Sequence, residues 1–114
     1  METTLPPHLP PHVRAALAEA KARLSEMYGD RLARVVLYGS YARGDAREDS
    51  DVDLLVVLRG DYEPYAEIKR TSALHLDLLL RYGVDLAIQP FNEHEVTDLE
   101  RPFMRNVAAD AVEL

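Results

Sequence analysis

The chain has 114 residues, no cysteine and a formal net charge of −7, with hydrophobic residues making up 47%. This length fits one domain around one modest core, and the absence of cysteine excludes disulfides and thiolate metal sites and accords with a reducing cytoplasm. The acidic balance argues against a long nucleic acid as the main substrate, and no run approaches the ~20 apolar residues of a membrane span.

The opening "METTLPPHLPPHVRAAL" lacks the basic-then-apolar pattern of a secretory signal. Residues 1–8 are proline-rich and expected to be extended. From Leu9 to Tyr28 the apolar positions Leu9, Val13, Leu17, Ala20, Leu24 and Met27 recur at helical spacing, and Gly29-Asp30 ends the pattern. "RVVLYG" reads as a strand stopped at Gly39, and segment 41–50 as a loop or brief helix. "DVDLLVVL" is a second strand, closed by Gly60. A helix is predicted over Pro64–Tyr82, with Ile68, Ala73, Leu76, Leu79 and Leu80 as its apolar face and Gly83 as its stop. "VDLAIQP" is a third strand, expected to end at Pro90. Asn92 and Glu95 have capping-box spacing, Pro102 suits a first helical position, and "AVEL" can add a short strand. This order predicts an α/β fold: a small mixed sheet flanked by helices, in a single domain over 1–114.

Asp51 and Asp53 stand at i and i+2 on the second strand, so both project from one face while Val52 enters the core. Neither has a basic neighbour in the strand. A bare D-x-D pair arises easily by chance, and a strand end projecting into solvent explains it equally well. Asp85 opens the next apolar run. Three carboxylates at neighbouring strand entrances would make an oxygen-rich site for Mg²⁺ or Mn²⁺. Gly39-Ser40 follows the first strand directly, where glycine permits a sharp turn and a close approach to a ligand. A short helix begun at 41–43 would turn free N–H groups toward a phosphate.

Taken together, Gly39-Ser40, ten residues, then Asp51-Val52-Asp53 reads G-S-x10-D-x-D with a strand on each side. The segment "GSYARGDAREDSDVDLLVVL" resembles the signature of the polymerase-β-like nucleotidyltransferase superfamily. Within it, the segment closely resembles the minimal nucleotidyltransferases, the MNT proteins paired with HEPN-domain toxins. The resemblance extends to the first amphipathic helix, the third-strand carboxylate and the ending "RNVAADAVEL".

The resemblance implies roles by position. Gly39 and Ser40 match the turn that binds nucleotide phosphates. Asp51 and Asp53 match the metal-binding pair, and Asp85 matches the third carboxylate, which shares the metal site and helps activate the attacking hydroxyl. Arg43, in the "A-R-G" run, is a candidate phosphate contact, with a solvated arginine as the equal alternative. The implied reaction is attack by a hydroxyl on the α-phosphorus of ATP, with two-metal assistance and pyrophosphate leaving. The implied acceptor is a tyrosine of a HEPN toxin, which AMP transfer would silence. A binding antitoxin that occludes its toxin with an idle site is one alternative. A nucleotidyltransferase for a small molecule, completed by a helical partner subunit, is another.

Other polar residues have plainer readings. His8 and His12 have i, i+4 spacing, yet their proline-interrupted setting favours a casual exposed pair over a metal site. His75 and His94 read as structural or solvated, Tyr38 as core, and Glu48 and Asp49 as loop charges.

Overall fold

Two successive prolines decide where the first helix begins. A residue that precedes proline is steered out of the α region, so α1 spans Pro11–Tyr28 rather than starting at Leu9. The computed structural model describes residues 5–114. Of the segment expected to be extended, residues 1–4 lie outside the described residues. Residues 5–8 lead instead into a turn, closed by Leu9 N–H donating to the Pro6 carbonyl at 3.3 Å. Leu9 is buried just ahead of the helix.

A single 3₁₀ turn over Gly29–Arg31 leads into β1, Leu32–Tyr38. A four-residue helix, α2, covers Ser40–Arg43, and β2 runs Val52–Leu58. Then come α3 (Pro64–Tyr82), β3 (Leu86–Asn92), α4 (Glu93–Val96), α5 (Pro102–Asp110) and β4 (Val112–Glu113). The sheet order is β3-β2-β1-β4. β1 pairs antiparallel with β2 and β4, while β2 and β3 are parallel, so the sheet is mixed as expected.

The strand alternation of β2 separates two cores. Val52, Leu54, Val56 and Leu58 face Val13, Leu17 and Leu24 of α1 and Leu74 and Leu78 of α3. Leu55 and Val57 face the other way, with Val36, against Val107 of α5 and Val96 of α4. Phe103 of α5 lies on this second face, edge-on to Tyr38 at 5.7 Å and stacked on Phe91 at 5.6 Å.

Two further sequence expectations need correction. β3 does not end at Pro90: it continues to Asn92, with Pro90 paired opposite Val56. β3 is an edge strand, where a missing N–H leaves no gap in the ladder. The inner face of α3 is also different. Ile68, Leu76, Leu79 and Leu80 are exposed, and the residues turned inward are Glu67, Thr71, Leu74 and Leu78. Glu67, 4% exposed, is tolerated because it accepts from Tyr28 Oη at 2.9 Å, Arg70 Nε at 3.0 Å and Arg31 Nη2 at 3.4 Å. Thr71 Oγ1 donates to the Glu67 carbonyl at 3.1 Å. The Asn92–Glu95 capping box, the Pro102 start and the short last strand all form as the sequence indicates.

The Glu67 network ties α1 and the following turn to α3, and it titrates. Burial pushes the Glu67 carboxyl up, but the hydrogen bonds from Tyr28, Arg70 and Arg31 and the charge of Arg31 outweigh it and hold the group below its ordinary value. A depressed carboxyl stabilises the fold above its unfolded pKa and ceases to do so as pH falls through the folded one. Glu67→Ala should therefore cost about 1–3 kcal/mol at neutral pH by leaving the Tyr28 hydroxyl without its acceptor. Urea midpoints for the native chain and Glu67→Gln should differ most at neutral pH and converge as pH falls through the depressed folded value of Glu67. A pH-independent gap would contradict the assignment.

Candidate active site

The turn at Gly39 has φ +79°, a conformation open to glycine and strained for other residues. A Cβ placed there would overlap Asp53 Oδ2 and stand 3.2 Å from the Asp53 carboxyl carbon. Register explains the closeness, because Tyr38, the last residue of β1, pairs with Asp53 of β2. The Gly39 backbone and the Asp53 carboxylate thus occupy adjacent places at one end of the sheet. Gly39 caps α2 and Ser40 is its first residue, so the leading N–H groups of this turn lack intrahelical partners. Gly44, at φ +90°, closes α2 in the left-handed conformation.

Val52 is 1% exposed and belongs to the core beneath α1 and α3. Alternation therefore turns Asp53 toward the opposite face, the one shared by Leu55 and Val57, while Asp51 stands just ahead of the strand. Among the described residues neither carboxylate takes part in a salt bridge. Burial raises the Asp53 carboxyl above its ordinary value, the Asp51 charge raises it further, and the Arg43 charge offsets them only partly. Tyr38 beside it is pushed up to about 12, by burial first and then by Asp53. This end of the sheet therefore holds uncompensated negative charge.

Arg43 is engaged on both sides. Its Nε donates to Asp45 at 3.2 Å and its Nη1 to Asp110 at 2.8 Å. The second bond ties α2 to the end of α5. Asp110 carried no signal in the sequence, since its role comes from a contact 67 positions away.

Asp85 lies at the neighbouring strand entrance. Its carbonyl accepts from Val52 N–H at 2.8 Å, which sets its backbone beside Asp51. Its carboxylate is half exposed and stands 3.6 Å from His75 Nδ1, while that nitrogen donates to the Leu86 carbonyl at 2.8 Å. Asp51 and Asp85 line one small cleft of about 90 Å³ with His12, Ser50 and Gly83. Among the described residues, no three His, Asp or Glu side chains close into a group that could hold one metal ion. The structure thus brings Gly39, Ser40 and Asp53 together, sets Asp51 beside Asp53, and leaves the Asp85 side chain turned to His75.

His8 is more than a casual surface residue. Its Nε2 bonds the Tyr41 carbonyl of α2 at 2.7 Å, so the segment before α1 holds the motif from behind. With His12, Tyr41, Gly44 and Arg47 it lines a cleft of about 270 Å³. A histidine near a chain end gives no sequence cue for such a contact.

Comparison with known proteins agrees with this geometry. The family described as the nucleotidyltransferase domain matches residues 17–112. MJ0604 of Methanocaldococcus jannaschii, provisionally named a protein adenylyltransferase, is 37% identical over 93 residues, covering 81% of this chain and 87% of that protein. Protein adenylyltransferase MntA of Thermococcus cleftensis is 37% identical over 79 residues, covering 68% and 74%. MJ1305 of M. jannaschii, also provisionally named a protein adenylyltransferase, is 39% identical over 74 residues (62% of this chain), and the match spans about half of its length, 49%. A solved structure described as that of a proposed minimal nucleotidyltransferase superposes with a TM-score of 0.58 at 30% identity, covering 96% of this chain and 100% of the other. A toxin–antitoxin complex with AMP-PNP shares the fold at a TM-score of 0.59 and 17% identity, over 83% of this chain and 69% of that one. A G-S-x10-D-x-D motif bent around one sheet end, in a chain matched over nearly its whole length, identifies a member of the nucleotidyltransferase domain family in its minimal form.

Proposed function

We propose that this nucleotidyltransferase is an antitoxin that transfers AMP from ATP to a tyrosine hydroxyl of a partner HEPN toxin. The observation that carries the reading is the unneutralised pair Asp51 and Asp53, with Asp53 set against the Gly39 turn. Relatives named protein adenylyltransferase support the reaction type, and a toxin–antitoxin complex with AMP-PNP among proteins of this fold is consistent with the partner class.

The donor set fits a hard divalent cation, Mg²⁺ or Mn²⁺. Both groups are oxygen donors at one strand entrance, and their mutual repulsion lacks a paired lysine or arginine among the described residues. Asp51 and Asp53 would hold the ion, with Asp85 as a third ligand only if its side chain leaves His75. Such an ion supplies charge neutralisation at the phosphates. The chain's own groups do the rest. The Ser40 turn, with its free N–H groups, orients the phosphates. Arg43 adds positive charge beside them while Asp45 and Asp110 fix its guanidinium. The acceptor oxygen forms a bond to the α-phosphorus, the bond between that phosphorus and the bridging oxygen breaks, and pyrophosphate leaves. Asp85, at the edge of the cleft, is the group assigned to receive the hydroxyl proton.

Intact mass spectrometry of the partner toxin after incubation with this chain, ATP and Mg²⁺ should reveal added adenylyl units, abolished by EDTA and restored by excess Mg²⁺. Asp53→Asn should lower the transfer rate by roughly 100-fold or more while the complex still co-elutes. A bound but unmodified toxin would favour the occluding antitoxin instead. Gly39→Ala should destabilise the chain by about 1–3 kcal/mol, and an Asp53→Ala background should shrink that penalty, because the new methyl then has no carboxylate to displace. Equal penalties in both backgrounds would contradict the Gly39–Asp53 packing.

A further inference from the structure

The outward face of α3 is apolar and uncovered. Tyr65 is 76% exposed, Ile68 49%, Leu76 54%, Leu79 37% and Leu80 75%. Helical spacing puts Tyr65, Ile68, Ser72, Leu76 and Leu79 on one stripe, opposite the buried Glu67, Thr71, Leu74 and Leu78. Lone exposed leucines need no explanation, but a stripe along the whole of an amphipathic helix does.

The stripe reads the same in both directions. Its spacings are three, four, four and three residues, centred on the small Ser72. When two such helices run antiparallel, Tyr65 meets Leu79, Ile68 meets Leu76, and Ser72 meets its own copy. That is the self-complementarity a two-fold interface requires, in which residue i contacts j and j contacts i. Large side chains at the ends and a serine at the crossing let the two helices approach to about 8–10 Å. The face contains no carboxylate, and Lys69 is its only formal charge. The five large side chains leave roughly 500 Å² in water per copy, at the upper end of patches on ordinary monomers. Two copies joined there would bury roughly 1,000 Å², the lower bound for a specific interface.

We propose that α3 joins two copies of this chain into an antiparallel dimer, with the two-fold axis passing beside Ser72. α3 covers the sheet face that carries Val52, Leu54 and Val56, whereas Asp53 and the Gly39 turn lie toward the opposite face. The Gly39–Asp53 end of each copy therefore stays open in the dimer, and the inference is independent of what the site modifies. An unrelated helical partner has no need of a stripe that repeats on reversal, which favours a second copy.

Sedimentation velocity on the full chain, without partner, should give a dimer that dissociates reversibly on dilution. Leu76→Asp and Ile68→Asp alter only exposed positions, so circular dichroism should stay native while dimerisation weakens by roughly 100-fold or more. The chain has no cysteine, so Ser72→Cys introduces one thiol at the proposed crossing. Mild oxidation should link Ser72→Cys into a covalent dimer, while Glu26→Cys on α1 should stay uncross-linked at the same concentration. A native chain that is monomeric throughout the series overturns the proposal, including one that uses this face only to bind a different protein. So does a dimer indifferent to Leu76→Asp, or one in which Ser72→Cys does not cross-link.

Discussion

One strand must satisfy two opposite demands, and the molecule is arranged around that conflict. β2 buries Val52, Leu54, Val56 and Leu58 beneath α1 and α3, and presents Asp53 on its other face, with Asp51 just ahead of the strand at the same end. Carboxylates are costly beside a core unless something positive meets them. Confinement to the strand entrance keeps Asp51 exposed and Asp53 only partly covered. The remaining cost appears as the raised Asp53 carboxyl, caused first by burial and then by Asp51. A structural role would have relieved this with a salt bridge. The arginine close enough to help, Arg43, is instead directed to Asp45 and Asp110. Under the proposed function, this unrelieved charge is what a metal-bound nucleotide would satisfy.

The elements far from the motif are used to hold it. Asp110, at the end of α5, fixes Arg43 of α2, and β4 pairs with β1 immediately afterwards. His8, ahead of α1, bonds the Tyr41 carbonyl within α2. A four-residue helix has little stability of its own, since nucleating one turn is unfavourable. α2 is therefore held by groups drawn from both ends of the described chain and by Tyr41, which is buried in the main core. The position of Ser40 depends on tertiary contacts more than on local propensity.

What the sequence disclosed follows the same division. Strands, helix starts and the motif were legible because each has a local cause: alternation in β2, the Asn92–Glu95 box, Pro102, and the glycine after β1. Pro90 misled because a proline stops a central strand but not an edge strand, and edge status is a property of the sheet. The inner face of α3 was misassigned for a related reason. Its apolar stripe outscores the face containing Glu67 and Thr71, and only Tyr28, Arg31 and Arg70 make a buried glutamate acceptable. The carboxylate pair was visible, but the orientation of Asp85 toward His75 was not, because that contact joins α3 to the start of β3.

A helix with one mixed face and one apolar face can bury either, and simple transfer energetics favours burying the apolar one. α3 does the reverse: it spends three hydrogen bonds on Glu67 and leaves Ile68, Leu76 and Leu80 in water. Such an arrangement is disfavoured for an isolated domain, and it becomes favourable once the apolar face has somewhere else to go. The Glu67 network fixes which face points inward, since only that face carries groups complementary to Tyr28 and Arg31. The polar contact therefore acts as an orientation lock, and the apolar stripe is what the lock holds outward, on the side of the sheet away from Asp53.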